Sequence, residues 1–232
     1  MQQRKELNKI QLHIMRSLYL KDGQRFAELN TGITTNDHFS YHLRKLIKDE
    51  YIYKNDEGIY HLSTKGKTSV LFLDIRGDKY ISQGLRACRV VLKRVIEGKE
   101  QFLIQRRTKV PFIGYLAEPG GKIQWGETVV ASAQRNMYEQ TGFVCDMVIK
   151  GQIHILEQYE NEIVQDKYFY VLEATILDGE LRDSGPTGSN HWMTEDEIYS
   201  DPKAHQGIRE IHEIVSKDDY TFVEVVHTAH EY

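Results

Sequence analysis

Only two of the 232 residues are cysteine, Cys88 and Cys145. Two thiols are too few for a disulfide framework or a cysteine zinc site, and reduced thiols are the default for such a chain. No apolar run approaches the length of a membrane span. The opening residues, Met1-Gln2-Gln3-Arg4-Lys5-Glu6, hold no apolar stretch of signal-peptide type. These absences give the expectation of a cytoplasmic protein with no membrane partner. No internal repeat or low-complexity tract is present. Ten histidines form neither a HExxH motif nor another ligand cluster, so they read as ordinary side chains.

What is there is enough apolar residue, 40%, for ordinary cores. The net charge of −4 is unevenly spread. Residues 1–76 carry 13 Lys and Arg against 9 Asp and Glu, a net +4, whereas residues 77–232 carry 17 against 25, a net −8. A basic first third and an acidic remainder point to two modules with different partners. The charged stretch 74–78 is read as the linker, which gives domains 1–76 and 77–232.

In the first module, apolar periodicity over 5–20 predicts a helix. A short helix follows at 26–29. A third helix is expected from Thr34 or Thr35 to about residue 49, with Asp37 completing a capping box and Phe39, Leu43, Leu46 and Ile47 facing inward. Residues 51–54 and 58–62 read as a β-hairpin, and 63–73 as a fourth helix. This order resembles winged helix-turn-helix regulators, as do the residues Ser40-Tyr41-His42-Leu43-Arg44-Lys45-Leu46. The resemblance implies that the third helix enters a DNA major groove. Its candidate contacts are Asn36, His38, Ser40, Tyr41, His42, Arg44, Lys45 and Lys48, which offer hydrogen bonds or positive charge. A solvated polar face and a protein-binding role are the alternatives. His42 is set apart, because a residue there can pack at the helix edge.

The second module reads as strands at 88–96, 101–106, 147–156 and 167–177. A helix is expected at 128–140, another after Thr194 and a last one at 207–215. Residues 220–227 read as an added edge strand or a dimer contact. The run Gly120-Gly121-Lys122-Ile123-Gln124-Trp125-Gly126-Glu127, followed by the helix through Arg135, Asn136, Glu139 and Gln140 to Gly142-Phe143, resembles the Nudix box. Gly121, Glu127, Arg135, Met137, Glu139, Gly142 and Phe143 fall on that pattern without a gap. The resemblance implies an α/β/α sandwich with a mixed sheet, so the whole chain is expected to be α+β with two domains.

The departures are informative. Asn136 and Gln140 stand where the family has glutamate. Positions 136, 139 and 140 share one helix face. In the family that face holds a divalent metal against a substrate diphosphate, and Mg²⁺ prefers charged oxygens. Glu139 and Glu127 remain as metal or residual catalytic candidates around a weakened Mg²⁺ site. Glu127 is expected to hold the loop and Arg135 to support the box by ion pairing. Arg106, Arg107, Gly120, Gly121 and Lys122, with Arg135, are the ligand or phosphate candidates. Trp125 and Phe112 are stacking candidates. Residues 185–190 supply no acid, and only Glu180 and Asp183 lie nearby.

The leading expectation is a ligand-responsive transcription regulator. Its Nudix domain would bind a nucleoside-diphosphate derivative of the ADP-ribose kind with little or no hydrolysis, and a homodimer would match paired operator half-sites. The alternatives are a Mg²⁺-dependent Nudix hydrolase with an accessory winged helix, and a scaffold with neither ligand nor reaction.

Overall fold

The computed structural model describes residues 7–74, 82–110 and 112–228. The chain divides into two compact units, Met1–Ser82 and Gln83–Tyr232. The expected linker at 74–78 lies almost wholly outside the described residues.

The first unit contains α1 (Lys9–Leu20), α2 (Phe26–Leu29), α3 (Asn36–Lys48), a hairpin of β1 (Ile52–Lys54) and β2 (Tyr60–Leu62), and α4 (Thr64–Val70). Helix α1 starts later than periodicity suggests. Asn8 caps it, its side chain accepting from the Gln11 N–H while the Gln11 side chain accepts from the Asn8 N–H. At α3 the expected capping box is absent: Thr35 is the N-cap and makes no side-chain cap bond. Thr34 instead pairs its hydroxyl with His38 Nδ1 at 3.0 Å. Phe39, Leu43 and Leu46 join Ile14, Met15, Leu18 and Leu29 in one core, but Ile47 is exposed.

The second unit is built on a nine-stranded mixed sheet. Its first pair is β3 (Leu85–Ile96) and β4 (Lys99–Arg107), joined by Glu97-Gly98, both at positive φ. The short strands β5 (Leu116–Ala117) and β6 (Gly120–Lys122) lead into α5 (Val129–Thr141), which stops at left-handed Gly142. The long strands β7 (Val144–Tyr159) and β8 (Glu162–Asp178) form a hairpin that includes the polar stretch 157–162 expected to separate them. It turns in two residues, Glu160-Asn161, both at positive φ. Then come β9 (Ser184–Gly185), β10 (Gly188–Met193), α6 (Glu195–Ser200), α7 (Ile208–Ser216) and β11 (Thr221–Thr228).

The strand order is β11-β7-β8-β3-β4-β10-β9, with β11–β7 and β3–β8 parallel. Alternate residues of the strands bury two separate cores. Ala87, Val91, Ile153, Ile155, Phe169 and Val171 pack with Ile208, Ile211, Ile214 and Val215 of α7. Cys88, Val90, Leu92, Cys145 and Leu172 pack with Ala133 and Met137 of α5. The sheet thus lies between helices, and α5 is held against the strand that pairs with the Gly120–Lys122 segment.

Candidate functional site

The loop before α5 is anchored by backbone geometry that only glycine meets. Gly120 has φ +153°, and a Cβ there would collide with the Cys88 carbonyl. A Cβ on Gly121 would run into the Asn136 amide. The α5 face and the glycine pair are therefore in direct contact.

The two amides on that face point into the protein. Asn136 and Gln140 are only 6% and 3% exposed. Gln140 clasps Gly120 from both sides: its Oε1 accepts from the Gly120 N–H at 3.2 Å, and its Nε2 donates to the Gly120 carbonyl at 2.7 Å. Asn136 Nδ2 donates to the Ser132 carbonyl at 2.8 Å, and its Oδ1 receives Gln140 Nε2 at 3.3 Å. A glutamate cannot supply the donor that the Gly120 carbonyl receives here.

The two retained carboxylates face a single guanidinium. Glu127 receives Arg135 Nε at 2.6 Å and Nη2 at 2.9 Å, and also the Gln124 N–H at 2.9 Å. The Arg135 hydrogen bonds, followed by the Gln124 N–H, pull the Glu127 carboxyl down to about 2. Glu139 receives Arg135 Nη1 at a long 3.4 Å and is otherwise open, its side chain 51% exposed. Arg135 thereby ties the loop to the helix, and Lys122 offers it a carbonyl at 3.3 Å while its own side chain stays exposed.

The family's metal requirement tests this donor set. Mg²⁺ needs several hard, charged oxygens. Glu127 is committed to Arg135 and a backbone N–H, while Asn136 and Gln140 are neutral, buried and hydrogen-bonded inward. Only Glu139 is left, and among the described residues no three His, Cys, Asp or Glu side chains gather into a metal-binding group. These residues do not fit a divalent ion as the family's carboxylates would.

The 185–190 segment closes the other end of α5. Asn190 Nδ2 donates to the Gln140 and Arg182 carbonyls at 2.9 and 2.7 Å, and its Oδ1 receives Gln105 Nε2 at 2.8 Å. It braces the helix and brings no carboxylate to the box face.

A second constellation lies at the α7 face of the sheet, and only one of its members carries a motif. Arg89, Arg107 and Lys167 sit near one another, with Glu157, His205, Phe112 and Phe169. Lys167 and Glu157 form a buried pair at 2.6 Å, and His205 Nε2 lies 3.3 Å from the same Glu157 oxygen. The Arg89 guanidinium covers the Phe169 ring at 4.7 Å and donates to the Glu118 carbonyl at 3.0 Å. Burial works against the Glu157 charge, but His205 and Lys167 outweigh it and hold the carboxyl below its ordinary range. Burial also drives His205 down to about 4, so its ring is neutral at physiological pH. Three cations therefore face one firmly ionised carboxylate, Glu157, and a second carboxyl beside Arg89, Glu118, which burial raises to about 7. Such an excess of positive charge beside aromatic rings suits an anionic ligand.

Of the expected phosphate contacts, Arg107 belongs to this group. Arg106 does not: it binds Asp201 at 2.7 Å and the Gly114 carbonyl at 2.9 Å, and so holds the loop after β4. Phe112 lies with the cluster, edge-on to His205 at 5.3 Å. Trp125 is 79% exposed and projects into solvent. Arg89, Glu157, Lys167 and His205 escaped motif reading. Strand parity carried the signal: Arg89 lies between inward Ala87 and Val91, and Lys167 two residues before inward Phe169.

On α3, Asn36, His38, Tyr41, Arg44 and Lys48 are exposed, and Ser40 and Lys45 are half-buried. His42 does not share that surface. It is 4% exposed, with Nδ1 on Asn8 Nδ2 at 3.2 Å and Nε2 on His38 Nε2 at 3.1 Å. Asn8 Oδ1 is already used by its cap bond, so Nδ2 must be the donor and His42 Nδ1 the acceptor. The ring packs α3 to α1 and is withdrawn from the expected base contacts.

A family model described as NUDIX domain matches residues 86–213, more than half of the chain. Among solved structures, the mMutator MutT protein from Bacillus halodurans is 23% identical, with a TM-score of 0.51 over 62% of this chain and 90% of that one. The NUDIX domain of Shewanella oneidensis NrtR, complexed with ADP ribose, is 15% identical, with a TM-score of 0.50 over 65% of this chain and 96% of that one. At these identities the structural likeness speaks for the fold, and the domain match for membership. With its glycine loop, its α5 helix and its helix-flanked mixed sheet, the chain belongs to the NUDIX domain family.

Proposed function

We propose that this protein is a ligand-responsive regulator that recognises a nucleoside-diphosphate derivative of the ADP-ribose kind and cleaves it poorly or not at all. The observation that carries this reading is the Gln140 clasp on Gly120. It fills with a neutral amide the place where the family keeps a metal-binding glutamate. The Arg89, Arg107 and Lys167 group supplies positive charge for a diphosphate without a metal ion. The NrtR domain complexed with ADP ribose supports the ligand class.

In the same reading the first unit is a winged helix-turn-helix that binds an operator. The exposed Asn36, Tyr41, Arg44 and Lys48 of α3, with Ser40 and Lys45, are its contacts. The ligand acts by favouring one disposition of the DNA-binding unit over another. The test is turnover of ADP-ribose with Mg²⁺ by the full chain. The expected rate is far below a typical kcat of about 10 s⁻¹. Multiple turnover near that rate would make the protein a Mg²⁺-dependent hydrolase instead.

A further inference from the structure

We propose that β11 joins two copies of this chain by antiparallel pairing of its free edge, with the two-fold axis at Glu224. Among the described residues β11 pairs with β7 alone, and it ends the strand order. Its pairing with β7 runs through all eight residues, Thr221 to Thr228, without a register shift. The strand Thr-Phe-Val-Glu-Val-Val-His-Thr holds no proline, glycine, lysine or arginine. Natural edges are usually blunted by charged side chains, proline, bulges or shortness; among the described residues of this one the single acidic side chain is Glu224, which His154 holds at 2.7 Å.

The opposite edge is β9, only two residues long. Pairing of β11 with its own copy uses the same edge on both molecules, so the contact closes at two and does not propagate. That favours a second copy over an unrelated peptide strand as the occupant. Symmetry then limits the register. In an antiparallel pair facing residues point to the same side of the sheet, so a two-fold axis must pass through a residue. Phe222, Glu224 and Val226 share the outer face, and Phe222 and Val226 are 54% and 59% exposed. An axis at Glu224 sets Phe222 opposite Val226 of the second copy, twice, and Val223 opposite Val225 of the second copy. Aromatic against β-branched is a favourable cross-strand pair. The two Glu224 carboxylates would meet at the axis. Each is already held by its own His154, whose Nδ1 lies 2.7 Å away and whose Nε2 lies 3.0 Å from Asp166.

This inference is independent of the ligand reading. Sedimentation of the full chain at micromolar concentration should give a dimer, and Phe222→Lys with Val226→Lys should give a folded monomer. A second variant, Phe222→Cys with Val226→Cys, should form a covalent dimer under mild oxidation, because facing Cβ atoms lie about 4.5–5.5 Å apart. A monomeric wild type, a lysine variant that stays dimeric, or a cysteine variant that does not cross-link would each overturn the proposal.

Discussion

Gln140 holds Gly120 through both its amide atoms, receiving the glycine N–H at 3.2 Å and donating to its carbonyl at 2.7 Å. The side chain acts as one more rung beside the β3–β6 pairing and sets the glycine loop before α5. Gln140→Glu replaces the donor with a carboxylate oxygen facing a carbonyl. It should cost about 1–3 kcal/mol, the usual penalty for a buried group left unpaired. Thermal melts with and without Mg²⁺ check this: a lowered Tm in both is expected, and a Tm restored by Mg²⁺ would show that the face can take an ion.

The Glu127–Arg135 pair should register in acid. The Glu127 carboxyl is pulled from 4.5 down to about 2 in the folded chain. A depressed carboxyl stabilises above its unfolded value, and the contribution fades as pH falls towards the folded value. Glu127→Gln should therefore lower Tm at neutral pH, and the gap to wild type should close between about pH 4.5 and 2. A gap independent of pH would remove the ion pair as its cause.

His154 has the opposite sign. Burial draws its proton affinity down, but the Glu224 and Asp166 carboxylates outweigh that and raise it above the ordinary 6.5. Its contribution is complete below about pH 6.5 and is lost as pH rises through the higher folded value. Amide protection factors in β11, taken against the intrinsic base-catalysed rate at each pH, should fall over that rise in wild type, and the step should vanish in His154→Gln.

Lys167 separates stability from binding. Lys167→Met removes the ammonium bonded to buried Glu157 and leaves that carboxylate with His205 in contact and Arg89 and Arg107 farther off, and breaking such a buried pair costs about 3–5 kcal/mol. Adding Glu157→Gln should recover most of that loss in denaturant melts, while ADP-ribose binding stays weak because the Lys167 ammonium, a direct donor to the diphosphate in this reading, is missing although the net charge of the cluster is restored. Recovery of binding along with stability would exclude Lys167 from the ligand site.

On α3, Lys45→Ala and Lys48→Ala should each flatten the salt dependence of DNA binding, by about 0.9 in log–log slope for every phosphate that is no longer neutralised. His42→Ala should lower the Tm of the chain, since the ring is buried between Asn8 and His38. An unchanged salt slope would take the lysines out of the interface.

Much of the box is legible in the sequence. Its glycines, Glu127 and Arg135 lie within one short segment, where spacing determines which side chains meet. The amide substitutions at 136 and 140 are visible there too, but not that both turn inward, because that depends on β3 lying beneath Gly120 and Gly121. The extent of β7 and β8 is hidden by Glu157, Asp166 and Lys167, charges that a strand accommodates only when they pair across it, as Lys167 and Glu157 do. The Arg89 cluster draws on four strands and the turn before α7, so no linear window contains it. His42 sits among plausible base contacts, and only the cap residue Asn8 reveals it as part of the interior.

The central claim is that this domain recognises its anion through its own cations and does not depend on a metal. Calorimetric titration of the full chain with ADP-ribose, once in chelator and once with Mg²⁺, addresses it most directly. Equal affinity in both, weakened in Lys167→Met with Glu157→Gln, is the predicted result. Binding only with Mg²⁺, with heat from continuing turnover, would contradict it.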